Sequence, residues 1–233
     1  MTFSLLKNPT FQQDGVEVMD FNYLLNPLFQ DIQLATYAEF TPARNATNDI
    51  CRALRWGIYL NDQLQWSDNN QYQLSADLNP EEAGRARQMD LIPEALLRTP
   101  ECERLIREMF KVFHPEGNSH KQAYVVQTSA LRYQPTVAKT CYPSPDHPHR
   151  DGFNNGIVVL SRTPNLIGGQ SRIYDLEGTP LFETQLQPGQ GLLVEDTRYQ
   201  HQVLPMLLDT SVAGAGEPAF RDILIVRIDP AQR

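Results

Sequence analysis

Two residues in the second half of the chain have side chains that can bind a transition metal together. His149 and Asp151 form the pattern His-Arg-Asp, and residues two apart on a strand point to the same face. An imidazole nitrogen and a carboxylate oxygen are the mixed donors suited to Fe(II) and similar divalent ions. The pattern also fits a hydrogen-bonded pair at the surface or in the core, so its meaning depends on a third ligand.

His201 is the candidate for that third ligand. It follows a tight turn at residues 187–191 and a predicted strand at 192–196. A hairpin partner of this kind can bring His201 beside the strand of His149 inside a barrel. Two histidines and one carboxylate form a facial triad, which leaves three positions of an octahedral iron open for O2 and a chelating cosubstrate. Taken alone, His201 fits better as a residue that merely caps the end of a strand.

An arginine further along the chain supplies a cation that could bind a carboxylate. Arg221 opens the run RDILIVR at 221–227, and its planar guanidinium matches the geometry of a carboxylate. Arg227 has the same parity on the predicted strand and is the competing candidate. We favour Arg221 because it is nearer in the chain to the loop that follows His201. The alternative is an exposed arginine at a strand end, paired with an acidic residue.

Four motifs in this order resemble the Fe(II)/2-oxoglutarate-dependent dioxygenase superfamily, specifically the bacterial group similar to L-isoleucine dioxygenase. The resemblance extends from Tyr124 to Asp229. The motifs are HRDG at 149–152, NLIGGQS at 165–171, EDTRYQH at 195–201 and RDILIV at 221–226. The stretch between His201 and Arg221 is longer than in many members of the superfamily, because residues 210–218 form an apparent insertion.

The resemblance implies a fold, a set of cofactors and an activity. It implies a double-stranded β-helix (jelly-roll) core with Fe(II) held by His149, Asp151 and His201, and 2-oxoglutarate held by Arg221. O2 would be the second cosubstrate, and CO2 and succinate would be released. The implied reaction is hydroxylation of an sp3 carbon of a free amino acid or a small amino-acid-derived metabolite.

Side chains that could bind such a substrate are harder to identify. Gln127, Arg132 and Tyr133 lie on one predicted strand and are candidates for lining the pocket. The carboxylate of an amino acid needs a cation. Arg132, Arg150 and Arg162 all lie in or beside predicted core strands, and the sequence does not choose among them.

The elements that position these residues change character near residue 120. Before it, helix signals are mixed with short strands predicted at 54–60 and 71–74. Helices should start at Asn79-Pro80 and at Thr99-Pro100, since Asn and Thr cap helices and Pro is favoured at the first helical position. An apolar stripe at helical spacing follows the second start. We expect the aromatic residues of this part to form a wall of the substrate pocket: Trp56, Tyr59 and Trp66.

After residue 120 the chain becomes a series of short strands separated by turns. That spacing is typical of a β-sandwich or jelly roll. We therefore expect an α+β fold in which N-terminal helices brace one side of the sheet, within a single dioxygenase domain over 1–233. The strands are predicted at 123–133, 156–161, 170–174, 184–186, 191–195, 202–206 and 222–228.

Composition narrows the class of protein. The 233 residues carry 28 acidic and 20 basic side chains, a net charge of −8, which argues against nucleic acid as a partner. The apolar runs are too short to cross a membrane, and no signal peptide is apparent. We therefore expect a soluble, cytoplasmic protein with a small-molecule substrate. Three cysteines without a CxxC pair disfavour a disulfide scaffold or a structural zinc site. The sequence does not indicate an oligomeric state.

Two other classes of protein would use the same residues differently. A zinc-dependent hydrolase could bind its catalytic zinc and water with the same histidines and carboxylate, but Arg221 would then have no role. A non-catalytic jelly-roll protein could bind a small molecule and turn over no 2-oxoglutarate. The metal content of anaerobically purified protein distinguishes a zinc hydrolase from an iron dioxygenase. Succinate formation distinguishes a dioxygenase from a non-catalytic binding protein.

Overall fold

A computed structural model describes residues 6, 8–42, 50–72, 87–212 and 217–231. The helix start predicted at Asn79-Pro80 lies outside these ranges. The helical elements are α1 Phe11–Asp14, a 3-10 turn at Asn22–Leu25, α2 Pro27–Ala38, α3 Glu94–Leu97 and α4 Pro100–Phe113. The strands are β1 Val16–Asp20, β2 Ile50–Leu60, β3 Gln63–Trp66, β4 Gln71–Tyr72, β5 Arg87–Gln88, β6 Asp90–Leu91, β7 Tyr124–Tyr133, β8 Asn155–Arg162, β9 Leu166–Gly168, β10 Ser171–Tyr174, β11 Pro180–Thr184, β12 Gln190–Val194, β13 Gln200–Val203, β14 Met206–Leu208 and β15 Arg221–Pro230.

The strands form a large sheet and a smaller layer. The large sheet has the order β1-β12-β8-β15-β7-β2-β3, with β6 added in parallel to β2. The smaller layer contains β11-β10-β13 and the pair β14-β9. Two layers of mainly antiparallel strands with crossovers make a jelly roll, so the predicted fold class is confirmed. Strands from the first part of the chain extend the large sheet at both edges.

Most strands of the second part fall where the sequence predicts them, with three differences. The short strand β9 at Leu166–Gly168 was not predicted. The strand predicted at 202–206 is divided into β13 and β14, which pair with β10 and β9 respectively. Pro205 lies between them and has no N–H to donate to a ladder. The strand predicted at 184–186 corresponds to the end of β11, which stops at Thr184. Of the strand predicted at 71–74, β4 covers the first two residues, and 73–74 lie outside the described ranges.

Helices cover one face of the large sheet, as expected. Helix α4 begins at the predicted cap, where the Thr99 hydroxyl accepts a hydrogen bond from the Cys102 N–H at 3.3 Å. Its apolar stripe is buried against Val126 and Leu224 of the sheet. Helix α2 is not among the predicted helices, although Asn26 caps it and Pro27 occupies its first position. The same cap-and-proline signal would have found it.

The opposite face of the large sheet turns toward the smaller layer, and we call it the inner face. Because side chains alternate along a strand, the odd-numbered residues of β15 point inward: Arg221, Ile223, Ile225 and Arg227. Ile223 packs there with Leu131 and Tyr133 of the neighbouring β7. No helix among the residues described is long and apolar enough to cross a lipid bilayer.

Candidate active site

A short antiparallel bridge joins the two candidate histidines. The N–H of His149 donates to the carbonyl of His201 at 3.1 Å, and the N–H of His201 donates to that of His149 at 2.8 Å. Because directly paired residues share a face, the imidazoles lie together, with ring centroids 4.4 Å apart. His201 belongs to β13, which pairs with β10 and is joined to His149 by the bridge. Asp151 lies in the connection between the bridge and β8, whereas the sequence placed it on the same strand as His149.

The three side chains converge on one point. The carboxylate of Asp151 is 3.9 Å from His149 Nε2 and 3.8 Å from His201 Nε2. One candidate ligand atom from each residue lies within 4.8 Å of the others. Bonds from such ligands to a divalent metal are about 2.0–2.2 Å long, so one ion can lie between them. The nitrogen and oxygen donors suit Fe(II) among other divalent metals.

Burial keeps His149 neutral, as a metal ligand must be. Burial and the neighbouring His201 lower the pKa of His149 to about 4, although Asp151 and Asp196 act in the opposite direction. The buried Nδ1 of this ring has no hydrogen-bond partner among the described residues.

A buried aspartate orients His201. The Nδ1–H of His201 donates to Asp196 at 2.9 Å, which leaves Nε2 for the metal. Asp196 is fully buried and also accepts a hydrogen bond from the Gly152 N–H beside Asp151. Burial lowers the pKa of His201, but the hydrogen bond that His201 donates to Asp196 and the nearby carboxylates outweigh this effect, so the pKa is raised overall. Asp196 has no predicted role from the sequence, although it lies five residues before His201 in the motif EDTRYQH.

Replacing Asp196 with alanine should weaken metal binding by about 10- to 100-fold, because a carboxylate that fixes the tautomer of a ligating histidine contributes about that much. Competition between the protein and a chelator under anaerobic conditions measures the change. Asp209→Ala is the matched control. The Asp209 carboxylate lies at an exposed turn and accepts hydrogen bonds from the N–H and hydroxyl of Ser211. Equal metal affinity in the Asp196 and Asp209 variants would show that Asp196 does not support the site.

Arg227 is already paired with the aspartate of the triad. Its Nη2 lies 2.7 Å from Asp151 Oδ2, and its Nε donates to Asn155 at 2.7 Å. Burial raises the pKa of Asp151, but Arg227 and the two histidines outweigh that effect and the pKa is lowered overall. Arg227 therefore holds this carboxylate ionised and in place.

Arg221 is a buried cation whose charge is not matched within the described part of the chain. It is 1 % exposed, and its Nη1 donates to the Gly169 carbonyl at 2.8 Å. Its Nε is buried without a hydrogen-bond partner, and no carboxylate of residues 6, 8–42, 50–72, 87–212 or 217–231 forms an ion pair with it. Burial lowers the pKa of this guanidinium to about 10. An unpaired buried charge is costly, and the carboxylate of a ligand would match it.

Two of the three candidate pocket residues lie on the inner face. Tyr133 is paired with Arg221 in the sheet, so its ring lies beside the buried cation. Gln127 is paired with Arg227, and its buried Nε2 has no hydrogen-bond partner in the described ranges. Trp56 is in turn paired with Gln127, which places this aromatic residue on the same face.

Arg132, the third candidate, lies on the helix-covered face. Adjacent residues of a strand point to opposite faces, so Arg132 and Tyr133 cannot both line the pocket. The Nε and Nη2 of Arg132 each donate to Asp222 at 2.7 Å. Gln33 of α2 and Ser161 also donate to this fully buried carboxylate. Arg132 is therefore paired with Asp222, away from the candidate metal ligands.

Other candidates also lie elsewhere. Arg150 is exposed, and Arg162 donates to the carbonyls of Leu166 and Gly168 at 2.7 and 3.1 Å. Tyr59 and Trp66 pack with the helices on the outer face of the sheet. Of the three aromatic residues expected to form the pocket wall, the structure places Trp56 alone on the inner face.

Replacing Arg132 with methionine should lower the free energy of unfolding by about 3 kcal/mol, because Asp222 would remain buried without its cation. Metal binding should be unchanged, since the pair lies across the sheet from His149 and Asp151. Chemical denaturation and metal titration measure the two effects. If Arg132→Met lost ligand binding at wild-type stability, Arg132 would belong to the pocket after all.

Comparisons with known proteins agree on the family. The model of the 2OG-Fe dioxygenase family matches residues 27–227. A 3(1)-hydroxy-L-isoleucine 4-dioxygenase of Pantoea ananatis is 25 % identical over 169 residues, which are 70 % of this chain and 66 % of that protein's length. The chain thus spans just under two thirds of that relative.

Two crystal structures show the same fold. IDO from Bacillus thuringiensis superposes with a TM-score of 0.76 at 16 % identity, covering 95 % of this chain and 92 % of the other. A bsmA homolog from Methylobium petroleophilum PM1 gives a TM-score of 0.77 at 20 % identity, covering 94 % and 90 %.

Proposed function

This chain belongs to the 2OG-Fe dioxygenase family, and from that premise we propose that it hydroxylates an sp3 carbon of a free amino acid or a small amino-acid-derived metabolite. The family uses Fe(II), 2-oxoglutarate and O2. The observation that carries the proposal is a metal-binding triad and a buried, unmatched arginine on one face of the jelly roll. One feature fits the iron and the other fits the distal carboxylate of 2-oxoglutarate.

The residues of the site divide into those that hold ligands and those that position other side chains. His149, Asp151 and His201 would hold Fe(II), while Asp196 and Arg227 orient them. Arg221 would bind the distal carboxylate of 2-oxoglutarate, with Tyr133 beside it. Iron with bound 2-oxoglutarate supplies the activation of O2 and the oxidising power.

The chain itself would orient the bound ligands and keep water out of the space around them. Ile223 and Ile225 occupy β15 between Arg221 and Arg227, and Leu131 packs beside them. These apolar side chains exclude water from the space between the cation and the metal ligands. Low dielectric strengthens the electrostatic contacts made there.

The substrate class rests on the Pantoea relative and on the character of the inner face. That relative is named for a hydroxylated isoleucine. Gln127 lies beside Arg227, and Trp56 lies beside Gln127 on the next strand, at the end of the inner face away from Arg221. An apolar surface with a few polar groups is typical of a pocket for a small molecule.

Anaerobic addition of Fe(II) and 2-oxoglutarate tests the proposal. The chelate should give a weak visible charge-transfer band, and admission of air should produce succinate. Free amino acids are then screened by mass spectrometry for a product one oxygen heavier. A protein that gave neither band nor succinate would not be a dioxygenase. Zinc in anaerobically purified protein would favour the hydrolase, and oxidation of carrier- or peptide-bound substrates alone would exclude free amino acids.

A further inference from the structure

A third arginine occupies the inner face, on strand β2. Arg52 is paired with Leu131 of β7, which packs in the inner-face core. Ile50, two residues earlier on the same face, belongs to that core and is paired with Tyr133. Arg52 therefore extends from β2 to the inner side of the sheet, where Arg221 also lies.

The charge of Arg52 is not matched within the described part of the chain. Its Nε is shielded from solvent and has no hydrogen-bond partner. Among residues 6, 8–42, 50–72, 87–212 and 217–231, no carboxylate forms an ion pair with it. The other arginine of β2 shows the contrast, since Arg55 on the opposite face binds both Asp68 and Glu94. The shielded Nε is left unsatisfied in the described structure, and an anionic group of a ligand could accept a hydrogen bond from it.

The charge of Arg52 acts on Tyr133, a side chain beside Arg221 in the candidate site. Burial raises the pKa of the Tyr133 hydroxyl to about 12, and the charges of Arg52 and Arg221 act against that rise, while Asp151 adds to it. One hydroxyl thus senses both unmatched cations and a candidate metal ligand. Ile50, Tyr133 and Arg221 lie side by side on three neighbouring strands. Arg52, two residues after Ile50, therefore shares their face of the sheet.

We infer that Arg52 binds the carboxylate of the substrate that becomes oxidised, so this enzyme selects substrates that carry a free carboxylate. The inference rests on the proposed function, in which Arg221 takes the distal carboxylate of 2-oxoglutarate. Arg227 is paired with Asp151, so Arg52 is the inner-face arginine that remains for the second ligand among the residues that the structure describes. Arg132, Arg150 and Arg162 do not provide that cation, because they are paired with Asp222, exposed or bound to backbone carbonyls.

Matched pairs of acids and amides test this inference. The Fe(II)- and 2-oxoglutarate-loaded protein is titrated calorimetrically without O2, using L-amino acids, their N-acetyl derivatives and the carboxamide of each. The same pairs are then scored for oxygenated product in air. Wild type should prefer acid over amide by about 30-fold or more, the effect of removing one partner of a desolvated charge pair. Arg52→Gln should lose this preference, and Arg52→Lys should keep part of it.

The control is Arg104→Gln, which changes an exposed arginine of α4 that pairs with Glu108 and should keep the wild-type preference. Three results would overturn the inference while the proposed function stands: equal binding of acid and amide by wild type, retention of the acid preference in Arg52→Gln, or succinate formation with no response to any carboxylate in the panel. Absence of the chelate band in wild type would instead remove the proposed function, and this inference with it.

Discussion

Replacement of Asp151 by alanine is expected to abolish tight Fe(II) binding, with a loss of affinity of about 1,000-fold or more. The carboxylate supplies the negative charge of the triad and accepts a 2.7 Å contact from Arg227. Without it, two neutral imidazoles remain, and the freed guanidinium lies where a cation must bind. At an effective dielectric constant of about 20, one unit charge at 4 Å contributes about 4 kcal/mol, so the two changes reinforce each other.

Asp146→Ala provides the matched control for this variant. Asp146 lies in the loop that precedes His149, its side chain is 95 % exposed, and it pairs with His147 at the surface. Metal analysis after anaerobic loading and equilibrium dialysis should show full iron in the control and little iron in Asp151→Ala. Stoichiometric iron in Asp151→Ala, retained through dialysis, would contradict the assignment of the triad.

Replacement of Arg221 by glutamine is expected to weaken 2-oxoglutarate binding by about 1,000-fold while leaving iron binding intact. Truncating one member of a buried, hydrogen-bonded charge pair costs about 2–5 kcal/mol, and Arg221 is fully buried beside Tyr133. Titration of the anaerobic chelate band with 2-oxoglutarate measures the affinity directly. Arg221→Lys keeps the charge but loses the planar fork, so an intermediate affinity is expected.

Two further variants make this prediction specific. Arg198→Gln changes an exposed arginine that pairs with Glu195, and it should bind 2-oxoglutarate as wild type does. Arg227→Gln should lose affinity for iron, because Arg227 positions Asp151. The opposite pattern, in which Arg227→Gln loses 2-oxoglutarate and Arg221→Gln keeps it, would reverse the roles of the two arginines.

The sequence determined the elements whose signals are local. The cap and apolar stripe of α4 and the strands β7, β8, β12 and β15 were predicted to within a few residues. The order of the histidine, aspartate and arginine motifs indicated the family, because each motif is a short contiguous stretch. Helix α2 carried an equally local signal at Asn26-Pro27 that was not used.

The tertiary structure decided which face each strand residue occupies and which charges meet. Side chains alternate along a strand, so a shift of one residue exchanges the pocket face for the helix-covered face. Sequence reasoning therefore placed Arg132 beside Tyr133 in the pocket, whereas strand pairing turns Arg132 toward Asp222 and brings Arg52 to the inner face. Asp196 and Arg227 acquire their roles through partners that only folding brings near. Pairing between strands distant in sequence leaves no local signal. Here it determines which arginines of the described residues lie near the candidate metal ligands without an anion of their own.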